Sequence, residues 1–315
     1  MNEKRKSEIE NYRFKPGFPH EIEMVSLKTI LDRSRNMMTQ PHRAEFYHVI
    51  WFQKGKAAHL VDLHPIPIQA NSLLFIGKGR VHMFDRISDY DGIVLLFTDA
   101  FFCRNPEDAQ FLQGTPLFNV FNASPLVSLG GDAPEFAARF KQLETELAAD
   151  GDKYQHLVLQ NLLRNILISA ERLAARNADA DGIPSDAKRT QGARTPGSGD
   201  DKEYAHKFLR LVDQEFRSSK RVLEYADKIA ITEKRLQKAV SRMYGKAAKD
   251  CIDERIILEA KRSLLFENGS VKEITIDLGF DEPTNFIKWF RKHAGQTPAR
   301  FRARYLGGPM PDLPL

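Results

Sequence analysis

Only two cysteines, Cys103 and Cys251, occur in 315 residues, and they stand far apart, so the chain has neither a disulfide framework nor a metal-binding cysteine spacing. Both read as small buried apolar residues. Long hydrophobic runs are also missing. No stretch approaches the roughly 18 apolar residues that span a bilayer, and Met1 to Glu10 is charged throughout, without the apolar core of a secretion signal. A cytoplasmic protein without membrane contact is expected. No serine-histidine-aspartate arrangement, phosphate loop or paired-carboxylate motif stands out, so motifs suggest no enzyme and no cofactor.

What is present is an ordinary globular composition, 42% apolar and 28% charged, in a chain longer than one typical core. The charge is unevenly spread. Residues 203–306 hold 22 Lys/Arg against 15 Asp/Glu, and the rest of the chain 25 against 27. A basic excess confined to one segment is what a phosphate-binding module needs, although a solvated basic face has the same composition.

Between Glu45 and Thr98 the apolar residues come in strand-length runs, Phe46 to Phe52, Leu73 to Ile76 and Ile93 to Phe97, separated by turn formers such as Lys54-Gly55-Lys56 and Gly77-Lys78-Gly79. They predict a small antiparallel barrel or sandwich. The period then changes. Pro134 to Ala149 places Phe136, Phe140, Leu143 and Leu147 on one stripe, and Tyr154 to Arg176 places Leu159, Leu162, Leu163, Ile166 and Leu173 on another, which predicts a helical hairpin covering the barrel or a second subunit. Residues 179–202 lose their hydrophobes and read as a flexible linker.

The last hundred residues hold two helix-turn-helix-like segments about fifty residues apart. In the first, Leu223, Ala226, Ile229 and Ile231 predict a short helix and turn. Thr232 then caps a second helix with buried Leu236, Val240 and Met243 and outward Lys234, Arg235, Gln237 and Lys238. These are side-chain types that pair with guanine and adenine edges in the major groove. Asp250 to Asn268 predicts a long helix stopped by Asn268-Gly269. At about 1.5 Å per residue it approaches the roughly 34 Å between successive major grooves. In the second segment Val271, Ile274, Ile276 and Leu278 make the first helix, Gly279 supplies a positive φ, and Asp281 caps a recognition helix that tolerates Pro283 in its first turn. Phe286, Trp289 and Phe290 face inward there, and Thr284, Asn285, Lys288 and Arg291 outward.

The paired segments, the run Glu259-Ala260-Lys261-Arg262-Ser263-Leu264-Leu265, and the run from Leu278-Gly279-Phe280 through Trp289-Phe290-Arg291-Lys292 to Gly295-Gln296-Thr297-Pro298 resemble the AraC/XylS-type transcription regulators over residues 204–305. The resemblance implies base reading by Lys234, Gln237 and Lys238 in the first segment and by Thr284, Asn285 and Lys288 in the second. It also implies double-stranded DNA and RNA polymerase as partners, and activation as the outcome. Two departures stand out: Thr275 replaces a usual Ala, and Pro283 alters the start of the second recognition helix. Looser docking of the second segment is therefore expected.

Upstream, Pro41 to Gly55 and Ser72 to His82 look like the cupin-type barrel of such regulators. His42 and His82 fall on the metal-binding cupin pattern, Ala44 replaces one ligand and His48 takes the carboxylate position. The three imidazoles could hold a divalent metal, but the resemblance implies a barrel used without metal, and none is expected. Either Phe46, His48, Trp51, Phe75 and His82 line a pocket for a small-molecule effector, or the barrel is filled and serves folding and dimerisation. The expected organisation is multidomain α+β. A cupin-like barrel over 1–130 precedes a dimerising hairpin over 131–178, the linker over 179–202, an all-α tandem helix-turn-helix domain over 203–306 and a tail over 307–315. The function expected is that of a homodimeric, sequence-specific transcription regulator. A metal-dependent cupin enzyme or sensor with a DNA-binding tail is the alternative.

Overall fold

A computed structural model describes residues 9–14, 20–85, 90–118, 125–180 and 199–306. Among them the chain forms two compact units, one within Ile9–Ile183 and one within Pro184–Leu313. Most of the expected linker, 181–198, and the tail 307–315 lie outside the described residues.

The first unit contains strands β1 (Glu10–Tyr12), β2 (Ile22–Ser26), β3 (His42–Ala44), β4 (Tyr47–Val61), β5 (His64–Gln69), β6 (Ser72–Ile76), β7 (His82–Met83), β8 (Tyr90–Phe97) and β9 (Leu126–Ser128). Its helices are α1 (Leu27–Met38), α2 (Asp99–Phe102), α3 (Pro106–Gly114), α4 (Ala133–Leu147) and α5 (Gln155–Ala180). The spine is β4. Its first half pairs antiparallel with β6 and β8, and its second half with β5 and β7, so one strand is shared by two layers and the sheet curls around it. One pairing departs from the antiparallel expectation, since β1 runs parallel to β3.

Side chains of a strand alternate between faces, and both faces of the first half of β4 are buried. Ile50 and Phe52 point inward with Leu74, Ile76, Phe84 and Val94, under Leu27 and Leu31 of α1. Tyr47, Val49 and Trp51 point outward with Leu73 and Phe75, and meet Phe136, Phe140 and Leu143 of α4 and Leu159, Leu163 and Ile166 of α5. Each such side chain contributes roughly 1.5–3 kcal/mol of burial. The expected hairpin thus lies on the sheet of its own chain. The alternation is broken once by a β-bulge between Phe52 and Lys54, which shifts the inward parity and brings His59 and Val61 to the inner face.

Among its described residues the second unit is all helical: α6 (Gly199–Glu215), α7 (Val222–Ile229), α8 (Glu233–Tyr244), α9 (Ala248–Phe266), α10 (Val271–Asp277), α11 (Pro283–Ala294) and α12 (Pro298–Leu306). The linker expectation fails at its end, because residues 199–202 open α6 and Asp201 is buried. Val222, Tyr225 and Ala226 form the buried side of α7, while Leu223 and, in α10, Ile276 are exposed, against the expected stripes. The long helix ends at Phe266 with Glu267 as its cap instead of at Asn268-Gly269, and Arg302 donates to the carbonyls of Leu264 and Gly269 at 2.9 and 2.7 Å. A side chain from α12 does there what a left-handed glycine was expected to do.

Candidate functional site

The two recognition helices, α8 and α11, begin at Glu233 and Pro283, fifty positions apart, and both end on a left-handed glycine, Gly245 and Gly295. Thr232 caps α8, its hydroxyl accepting from the Arg235 amide at 3.2 Å. The cap of α11 is Glu282, not Asp281, and its side chain makes no capping bond. Proline at the first helical position drives the residue before it into extended backbone, so the boundary is set at Glu282.

Lys234 and Lys238 are exposed on α8, and Thr284, Asn285, Lys288 and Arg291 are exposed on α11. Lys238 and Lys288 hold the same position in the two helices. The two remaining expected readers are occupied within the unit. Arg235 ion-pairs with Asp201 at 2.8 Å and lies over the Tyr204 ring at 5.7 Å. Asp201 also accepts from Arg242 at 2.7 Å. Gln237 accepts from the Ala248 amide at 3.1 Å through Oε1 and so holds the first turn of α9, whose cap Ala247 has no side-chain oxygen. Arg235 and Gln237 were expected outward because they lie off the apolar stripe. Partners far along the chain draw them in.

What spaces the helices is α9, 19 residues or about 28 Å at the standard rise. It is locked to α6 by a buried ion cluster that sequence reading missed. Glu259 accepts from Arg255 and Arg262, each at 2.9 Å, and from Arg217 at 3.0 Å, and Arg255 also reaches Asp213 at 2.7 Å. The carboxylate of Glu259 is 1% exposed. The second turn is locked differently. Gly279 has φ +68°, and a Cβ there would lie 1.8 Å from the Arg217 carbonyl oxygen. Lys220 donates to the Gly279 carbonyl and sits 4.9 Å from the Phe280 ring centre.

Inside the curled sheet lies a cavity of about 380 Å³ lined by Phe46, His48 and His82 of the expected set, together with His42, Phe84, Val94 and Leu96. Trp51 and Phe75, expected to line it, are on the opposite face against the helical hairpin, because they have the other parity on their strands. A fourth imidazole joins the cluster. His42 pairs across the ladder with His82, and His59 Nε2 lies 3.1 Å from His82 Nδ1. Burial lowers the pKa of every one. His48 and His59 are pushed down to about 3, first by desolvation and then by neighbouring histidines, His82 well below its ordinary value, and His42 in the same direction. All four rings are therefore neutral at ordinary pH. Among the described residues no group of His, Cys, Asp or Glu is arranged to hold a metal ion, and no helix is long and apolar enough to cross a membrane.

Comparison with known proteins matches both units. The family model of an AraC-like ligand binding domain matches residues 26–167, and that of a helix-turn-helix domain matches residues 225–304. The transcriptional activator RhaS of Yersinia pseudotuberculosis is 20% identical over 270 residues, covering 84% of this chain and 89% of its own. Among solved structures, ToxT from Vibrio cholerae is 13% identical with a TM-score of 0.38, covering 82% of this chain and 90% of its own. An AraC-type regulator from Chromobacterium violaceum is 17% identical with a TM-score of 0.30, covering 34% and 96%. With a ligand-binding domain and a helix-turn-helix domain matched in that order along one polypeptide, the chain belongs to the AraC family of DNA-binding transcription regulators.

Proposed function

We propose that this regulator reads two neighbouring major grooves with one chain, through Lys234 and Lys238 on α8 and Thr284, Asn285, Lys288 and Arg291 on α11, while Arg235 and Gln237 position α8. The observation that carries this is the equivalence of Lys238 and Lys288, both exposed at the same step of two helices fifty residues apart. A lysine at that point reaches guanine O6 or N7 from a helix lying in the groove. The spacing by α9 suits successive grooves on one face of the duplex.

The regulator acts as an activator through RNA polymerase, in the cytoplasm where the DNA is, as a homodimer joined through the α4–α5 hairpin, with a small-molecule effector in the barrel cavity. The activator reading is supported by the likeness to RhaS, a transcriptional activator. The homodimer reading is supported by Tyr154, Leu157, Val158 and Ile168, large apolar residues left exposed on and just before α5.

Selection of bound sequences from a random duplex pool tests the reading. The expected product is an asymmetric site with two short blocks one helical turn apart. Lys238→Ala should relax discrimination in one block and Lys288→Ala in the other, by roughly 1–3 kcal/mol per bidentate contact. Equal weakening on selected and random duplexes would refute base reading by either lysine and leave them as phosphate contacts.

A further inference from the structure

The cavity in the curled sheet contains polar atoms that the fold does not satisfy. His42 Nδ1 lies 2.9 Å from the Gln40 carbonyl oxygen. A carbonyl only accepts, so this nitrogen carries the hydrogen and Nε2 of the neutral ring is a bare acceptor. His59 Nε2 and His82 Nδ1 share one hydrogen across 3.1 Å. His82 Nε2 and His48 Nδ1 are then left buried without a hydrogen-bond partner, on rings whose centres are 4.8 Å apart, and both residues line the cavity. An unsatisfied buried polar atom costs roughly 1–3 kcal/mol. Around these nitrogens Phe46, Phe84, Val94 and Leu96 are apolar, and the polar part of the lining comes from Glu23, Thr29 and Ser34 with two arginines.

We propose that the cavity takes an uncharged small molecule with an apolar body and one hydroxyl head, a phenol or an alcohol, whose oxygen bridges His48 Nδ1 and His82 Nε2. This rests on the reading of the barrel as an effector domain and names the effector's chemistry. Hydrogen-bond arithmetic selects the head. A hydroxyl donates once and accepts twice, so it satisfies both nitrogens in any tautomer that leaves at least one of them a donor. A carboxylate only accepts and an ammonium only donates. Either would also bury a charge against rings that burial already keeps neutral. The exposed Arg33, like the exposed Arg13, also lines the cavity. A carboxylate that turned toward it would leave the imidazoles unsatisfied, so a preference for acids is the outcome that separates the two chemistries.

The test is calorimetric titration of the full chain at pH 7.5 with 2-naphthol, 2-naphthoate and 2-methoxynaphthalene, with DNA affinity measured on the same preparations. Expected are one 2-naphthol per chain, binding at least tenfold weaker for 2-naphthoate, weaker binding for the methyl ether, and at least a tenfold loss of 2-naphthol affinity in His48→Phe. The ligand series gives the answer with the unaltered protein should that variant fail to fold. Overturning results are no 2-naphthol bound, 2-naphthoate bound as tightly or more tightly, or a folded His48→Phe chain of undiminished affinity. Naphthol bound as expected with DNA affinity unchanged upholds the pocket chemistry and defeats the effector reading. A chain that binds DNA but no naphthol defeats the pocket chemistry alone.

Discussion

The two helix-turn-helix units follow one plan and are held in place by different means. The first is tied by polar contacts to its recognition helix: Thr232 caps α8, Asp201 grips Arg235 and Arg242, and Gln237 holds the start of α9. The second is tied from beneath. Phe280, Phe286, Phe290 and Phe301 form a chain of ring contacts with centres 5.3 to 5.7 Å apart, and Gly279 presses its backbone on Arg217. As a result the four expected readers of α11 make no side-chain hydrogen bond or ion pair with another described residue, whereas two of the four on α8 are engaged. Fixing a helix through its polar face uses up groups that could face DNA, and fixing it through its apolar face leaves them available. The looser docking expected from Thr275 has a counterweight. Thr275 is fully buried, but its hydroxyl donates to the Val271 carbonyl at 2.7 Å, so no polar group is stranded.

The anchor common to both units should give the largest effect. Glu259→Ala leaves Arg255 and Arg262 buried without their shared carboxylate, and a loss of about 3–5 kcal/mol is expected in denaturant unfolding of the DNA-binding unit. A loss under about 1 kcal/mol would mean that α9 is held by its apolar side alone.

The turns come next, and should respond in opposite directions. Gly279→Ala places a side chain at positive φ, which costs roughly 1–2 kcal/mol, and drives it into the Arg217 carbonyl besides. The corresponding turn residue of the first unit, Ala230, already has φ +61°. Ala230→Gly should stabilise by about 0.5–1 kcal/mol, since relief of the left-handed strain exceeds the added chain entropy. Destabilisation by both substitutions, read from unfolding midpoints, would show that the two turns do not carry equivalent strain.

The helix caps should differ least. Thr232→Ala removes a formed capping bond and should cost about 1 kcal/mol. Glu282→Ala removes none and should stay within about 0.5 kcal/mol. A matching loss at both sites would erase this part of the contrast between the units.

Much of the architecture was legible in the sequence because it depends on neighbours. The stripe Phe286–Phe290, the turn at Gly279 and the cap at Thr232 are local, and each is set by a few adjacent residues. The exposed face of α11 followed from the same periodicity. The inner lining of the barrel was only half legible. Phe46 and His48 have one strand parity and Trp51 the other, which already argues against a single pocket wall containing all three. His59 was not legible, because the bulge after Phe52 adds one residue to the count and turns the following positions over.

The sequence by itself determined the type of the strongly periodic elements, the paired helix-turn-helix segments and their spacing, since helical and strand periods and turn chemistry act over a few residues. Tertiary structure alone decided which polar groups remain available for function. Asp201 claims Arg235 across 34 positions and Arg302 caps a helix 38 positions away, while four histidines from three strands converge in one cluster. Satisfaction of a buried charge or hydrogen bond depends on distance in space, and no local pattern encodes that distance.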